Sequence, residues 1–193
     1  MIIREELLND YKEVEKVIEE SFKTAEFTDN QEHNLVKRLR QSDEFIKELS
    51  LLAENNNKII GHILLTKALI KDNDKSIETL ALAPLSVLPE YQKSGIGKAL
   101  MNKAIELSKE LGYKSIVVLG HENYYPKFGF EKASTYGVKA PFEVPDEAYM
   151  ILELIPNALK GVNGVVEYSK AFFEWYIWKV CSNFLYILFL YFP

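Results

Sequence analysis

The chain has 193 residues, 48% hydrophobic and 26% charged, with a formal charge of -5. That is enough apolar material for one buried core and a single domain, and the acidic balance excludes any general attraction to nucleic-acid backbones or anionic lipid. A single cysteine, Cys181, excludes an intrachain disulfide and any CxxC or Cys/His zinc spacing, which suits a reducing cytoplasm.

Arg4, Glu5 and Glu6 precede any long apolar run, which argues against a cleaved secretory signal. Tyr11, Val14, Val17, Ile18 and Phe22 then recur at helical spacing behind Asn9 and Asp10, two good N-caps, and predict a first helix. A second is expected over about Glu32 to Arg40, with Leu35, Val36 and Leu39 on one face. Lys37, Arg38 and Arg40 suit the negative end of its dipole and are expected as a solvated basic face. Leu49 to Glu54 and Lys58 to Thr66 predict a hairpin, because the three asparagines between them tolerate left-handed turn geometry.

A second turn at Asp72 to Lys75 leads into a strand over Ile77 to Val87. Pro84 interrupts that strand, and a residue that cannot donate to a ladder implies a bulge or an unpaired edge. Ile96, Leu100, Ala104, Leu107 and Leu111 then mark a helix that Gly112 stops, and Ser115 to Leu119 is a short buried strand. Strand, helix and strand in that order place the two strands parallel in the middle of the sheet. A tyrosine-rich turn at Asn123 to Phe130, a loop with Pro141 and Pro145, and a strand at Tyr149 to Leu154 complete the pattern.

The end of the chain differs in character. From Trp175 to Phe192 only Lys179, Ser182 and Asn183 interrupt apolar and aromatic residues, and the unbroken run from Phe184 to Phe192 is far short of the roughly 20 residues a membrane helix needs. We expect one domain over residues 1–174 and an apolar extension over 175–193, suited to a packing arm or a homodimer contact rather than a membrane anchor.

The chemistry concentrates at Gln92-Lys93-Ser94-Gly95-Ile96-Gly97, where a strand hands over to a helix. Unpaired N–H groups and the positive end of the helix dipole converge there, and such a turn binds anions. Gly95 and Gly97 let a pyrophosphate approach the backbone, with Lys93, Ser94 and Lys98 adding charge or a hydroxyl. A nucleotide P-loop is excluded by Gln92 and Ala99 at positions that need Gly and Ser or Thr. Leu100 stands where a dinucleotide fingerprint needs a third glycine.

Gln92, Gly95 and Gly97 match the Gln/Arg-x-x-Gly-x-Gly/Ala motif of the GNAT acyltransferases, which the chain resembles over about residues 49 to 154. Leu85-Ser86-Val87-Leu88-Pro89-Glu90-Tyr91 looks like the exit of that family's bulged fourth strand, and Tyr125-Pro126-Lys127-Phe128-Gly129-Phe130 resembles its Tyr-x-Lys-x-Gly-Phe motif. The resemblance implies an α+β fold: a mixed, mostly antiparallel sheet flanked by helices and opened by a V-shaped splay. It also implies acetyl-CoA as co-substrate, without a metal. The pantetheine arm would lie along Leu85, Ser86 and Val87, and the pyrophosphate on the amides from Lys93 through Ile96 and Gly97 to Lys98.

Tyr125 occupies the family's proton-donor position, although a packed place among Tyr124, Phe128 and Phe130 would suit the ring too; Tyr124 is expected to point elsewhere. Glu32, Glu78, Glu122 and His121 are candidates for the base. The family asparagine that binds the cofactor arm has no clear counterpart, since Asn123 is only two residues before Tyr125. Cys181 in the extension argues against a cysteine-linked intermediate, so direct transfer in a ternary complex is expected, to a small-molecule or peptide amine. A module that binds CoA without turnover is the alternative.

Overall fold

The structure is a computed structural model and describes residues 1–23, 25 and 28–173. The expectations for the extension beyond Phe173, Cys181 included, lie outside the described residues.

A strand β1 (Ile2–Glu5) opens the fold, followed by helices α1 (Tyr11–Phe22) and α2 (Glu32–Leu39). A meander of long strands comes next: β2 (Phe45–Asn55), β3 (Lys58–Asp72) and β4 (Lys75–Val87). Helix α3 (Ile96–Glu110) leads to β5 (Ser115–Leu119), and then come β6 (Glu131–Lys132), β7 (Val138–Lys139), β8 (Tyr149–Glu153) and β9 (Gly164–Glu167). The sheet runs β1-β2-β3-β4-β5-β8-β6, with β9 bridging β3 and β7. Its pairs are antiparallel except β4 with β5 and β7 with β9.

The β2–β3 hairpin turns on Asn56 and Asn57, both at positive φ (49° and 60°), the geometry the asparagine run implied. β2 and β3 extend further than expected, and Ile46, Ala68 and Ile70 are buried along the added lengths. Val14, Ile18 and Phe22 from α1, and Leu100, Met101 and Ala104 from α3, pack with Leu51, Ile63, Leu64 and Leu80 in the main core. A second cluster gathers Ile70, Ala81, Val117, Tyr149, Ile151 and Val166.

Two expectations are corrected. Asp10 stands at the start of α1, but its carboxylate accepts from the Leu7 N–H (2.8 Å) and pairs with Arg4 (2.6 Å) instead of capping the helix. Arg40 is not on a solvated face. Its side chain is 3% exposed, forked between Glu6 and Glu15, and stacked over the Tyr11 ring at 4.0 Å. Nor is Arg38 purely solvated, since it donates to the Ala171 carbonyl (2.9 Å).

Glu6 also accepts from the Ser50 hydroxyl (2.6 Å), which touches His62 Nε2 at 3.2 Å. The network joins the N-terminal segment, α1, the end of α2, β2 and β3. Helix propensity and dipole arguments see only the helix itself, so a charge buried by neighbours remote in sequence escapes them.

Candidate active site

β4 and β5 are paired only at Leu80 with Ile116 and Ala81 with Val117. β4 continues to Val87 along β3, so beyond Ala81 its other edge has no strand partner among the described residues and the sheet opens in a V. The register against β3 slips between Ile63 and Leu65, which leaves Ala83 and Pro84 opposite Leu64. This is the bulge that Pro84 implied. Ser86 is buried here with its hydroxyl unpartnered.

The chain leaves β4 through a short 3-10 turn (Pro89–Tyr91) and reaches α3 across the glycine turn. Lys93 (φ 59°) and Gly95 (φ 91°) take left-handed geometry, which bends the backbone so that successive N–H groups converge. Among the described residues none of the N–H groups from Lys93 to Lys98 finds an acceptor; Gln92 N–H bonds back to Pro89, and Ala99 N–H is the first to bond to Gly95. Gln92 Nε2 donates to the Val87 carbonyl (3.2 Å) and the Ser94 hydroxyl to that of Tyr91, so these side chains brace the turn. Ile96 is buried and offers only its amide, whereas Lys93 and Lys98 are exposed. The result is a concave, positively polarised row of donors at the head of a helix, fitted to a phosphate or pyrophosphate.

The structure brings strand and turn together. A Cβ at Gly97 would lie 3.8 Å from Val87, 3.9 Å from Leu85 and 2.8 Å from Tyr124 Oη. The Tyr124 hydroxyl thus reaches over the head of α3, away from Gly120, where the Tyr125 ring lies. The two adjacent tyrosine rings stand at 89° to one another, and the one over Gly120 is that of Tyr125.

Tyr125 is 3% exposed, edge-on to Phe130 (5.5 Å) and Tyr124 (5.2 Å). Burial, with a smaller effect from Tyr124, pushes its phenol well above the ordinary tyrosine value, so the buried ring stays neutral. Its ring occupies the space over Gly120, where a Cβ would come within 2.2 Å of Cε2. Gly120 escapes sequence reasoning because the need for a missing side chain is created by a ring that packs on it. Gly120→Ala should displace that ring, and an ~1 Å misplacement can cost about 100-fold in rate. Turnover should drop while acetyl-CoA binding, measured by calorimetry, persists.

The four base candidates separate. Glu78 is exposed near the start of β4, opposite Leu69 and on the far side of the β4–β5 contact from the V; Glu122 is exposed. His121 Nδ1 accepts a long bond (3.4 Å) from the Asn123 N–H and closes a turn. Glu32 is 3% exposed in the first turn of α2 and accepts from the Thr28 hydroxyl (2.6 Å). Burial raises its carboxyl above the ordinary 4.5, the Thr28 bond opposing this in part.

Among the described residues no three His, Cys, Asp or Glu side chains are grouped to hold a metal, and no helix is long and apolar enough to cross a membrane.

The comparisons agree with this geometry. N-acetyltransferase YjhQ of Escherichia coli (strain K12) is 41% identical over 125 residues, 64% of this chain and 69% of that protein. YhbS of the same strain is 27% identical over 172 residues, 89% and 98% of the two chains. The crystal structure of E. coli YhbS in complex with CoA superposes with a TM-score of 0.80 at 27% identity, covering 89% of this chain and 91% of that one. A GNAT family acetyltransferase from Brucella melitensis in complex with acetyl-CoA gives 0.73 at 29% identity, covering 89% and 97%. The sequence profile of the Acetyltransferase (GNAT) family matches residues 6–130, which include the splayed strand, the glycine turn and the tyrosine motif, and the chain belongs to that family.

Proposed function

We propose that this enzyme, over residues 1–174, transfers the acetyl group of acetyl-CoA to a primary amine by direct attack in a ternary complex. The observation that carries the reading is the row of free amides from Lys93 to Lys98 at the end of an unpaired strand edge. The pyrophosphate would rest on those amides, flanked by Lys93 and Lys98. The pantetheine arm would follow Leu85, Ser86 and Val87, whose outer edge is free to pair with its amides as a strand would. The relatives crystallised with CoA and acetyl-CoA support the same donor.

When bound, acetyl-CoA supplies an activated acyl carbon. The amine nitrogen attacks that carbon, the C–S bond breaks, and the thiolate takes the Tyr125 proton. Nitrogen sheds the proton it no longer needs, which restores the phenol and leaves amide and free thiol. Burial raises the phenol and so makes it a weaker acid, which ties its donation to the return of the amine's proton in the same sequence, since a buried phenolate is too costly to persist.

Glu32 is our choice for the base that accepts the amine's proton before attack. It lies one helical turn before Leu35 and Val36 on the buried face of α2, and a carboxyl raised above 4.5 is a stronger base than an exposed one. Glu32→Gln should lower kcat/KM about 100-fold and remove the acid limb of its pH profile. The stability effect has the opposite sign. A carboxyl whose folded pKa is raised favours folding when protonated, and that contribution is lost as pH rises from 4.5 through the folded value. At pH 7.5 the variant should therefore melt higher than the wild type while working more slowly.

The net charge of -5 favours a cationic small-molecule amine as acceptor. The test is calorimetric titration with acetyl-CoA, CoA and ATP, followed by thiol release across a panel of amines. CoA species should bind and ATP should not compete comparably. Failure of acetyl-CoA to bind would remove the reading.

A further inference from the structure

At the vertex of the V, past the last β4–β5 pair, lies a cavity of about 80 Å³. Leu82 and Ala83 from β4 and Val117 to Leu119 from β5 form its floor; Leu35, Phe142 and Tyr168 are among its walls. Among the described residues no charged side chain lines it. The Tyr168 hydroxyl is engaged with Tyr149 Oη at 2.9 Å, and the Tyr168 ring stacks with Phe142 at 6.2 Å. The wall is therefore apolar, and a cation placed inside would be desolvated without a partner. That disfavours the amine as occupant.

The direction of the cofactor supplies another. If the pyrophosphate rests on Lys93 to Lys98 and the arm runs back along β4 from Val87, the thioester arrives at Leu82 and Ala83, where the cavity begins. We propose that the cavity is an acyl pocket, and that the enzyme takes acyl-CoA donors longer than acetyl, with an optimum near propionyl and butyryl. This rests on the acetyl-CoA reading above and extends it to donor specificity. The size sets the limit: an apolar cavity of roughly 150 Å³ admits benzene, so one about half as large holds a short alkyl chain and not a long one.

Calorimetry on the full chain with acetyl-, propionyl-, butyryl- and octanoyl-CoA tests this without an identified acceptor. Affinity should rise about fourfold for each added methylene up to butyryl, the gain expected for burying a methylene, and should fall by octanoyl. The ratio of butyryl- to acetyl-CoA affinity is the decisive readout in variants, because it cancels any shared effect on folding. Leu119→Phe, which fills the cavity, should bring that ratio to one or below. Phe142→Ala, which opens it, should move the optimum to a longer chain. Equal affinities from acetyl to butyryl would overturn the pocket while leaving the acetyl-CoA reading standing. A preference for butyryl that survives Leu119→Phe would overturn it too, since the chain would then lie elsewhere. If acetyl-CoA itself does not bind, the underlying reading fails and the pocket with it.

Discussion

Tyr125→Phe should lower kcat by about 100- to 10,000-fold, the span of a positioned general acid, while acetyl-CoA affinity changes only a few-fold. The substitution removes one oxygen and keeps the ring that packs against Gly120, Phe130 and Tyr124. A ring that only filled space would lose little by this change, so the comparison separates proton transfer from packing. An unchanged kcat would take Tyr125 out of the mechanism.

Tyr124→Phe is the matching control, because the Tyr124 hydroxyl stands at Gly97 over the head of α3 and not at Gly120. Loss there should appear in cofactor affinity before it appears in kcat. Binding of acetyl-CoA without thiol release for any amine would instead favour a non-catalytic CoA-binding role.

Arg40→Met should destabilise the fold by about 3–5 kcal/mol, the usual cost of stripping one partner from a buried ion pair. For a domain of this size that is a fall in Tm on the order of 10 °C. The guanidinium holds Glu6 and Glu15 together from the end of α2, and its loss leaves Glu6 buried with only Ser50 and the edge of His62 for company. Methionine matches the apolar stem, so lost packing contributes little.

The pH dependence identifies the cause. Burial alone would raise the Glu6 carboxyl, but His62, Arg40 and Ser50 together hold it below the ordinary 4.5. A depressed carboxyl contributes stability above its unfolded value near 4.5 and loses it as pH falls through the lower folded value. The gap in Tm between wild type and variant should therefore be full at pH 7 and shrink below pH 4.5. A gap that stayed constant down to acid pH would mean that the loss is one of packing and not of charge.

Much of the site was legible because its signals are local. The glycine spacing at 95 and 97, the proline at 84 that breaks a strand edge, and the tyrosine motif from Tyr125 to Phe130 each follow from what a backbone can do at that point in the chain. The parallel pairing of β4 with β5 followed from the order of strand, helix and strand, and the asparagine turn from left-handed geometry. Elements of two to four residues were not legible, since β1, β6, β7 and β9 are too short for periodicity and exist because a neighbouring ladder continues through them.

Local pattern is enough to read an acidic chain with a strand-to-helix turn suited to an anion and a later tyrosine motif. Which side chains share a space came from the packed fold. It buried Arg40 between two glutamates, turned Tyr124 toward Gly97, gave Tyr125 the room that Gly120 leaves, and closed apolar walls around the vertex of the V. Those outcomes depend on contacts between residues tens of positions apart. Spacing along a chain carries no record of them, because they are fixed by how whole elements pack against one another.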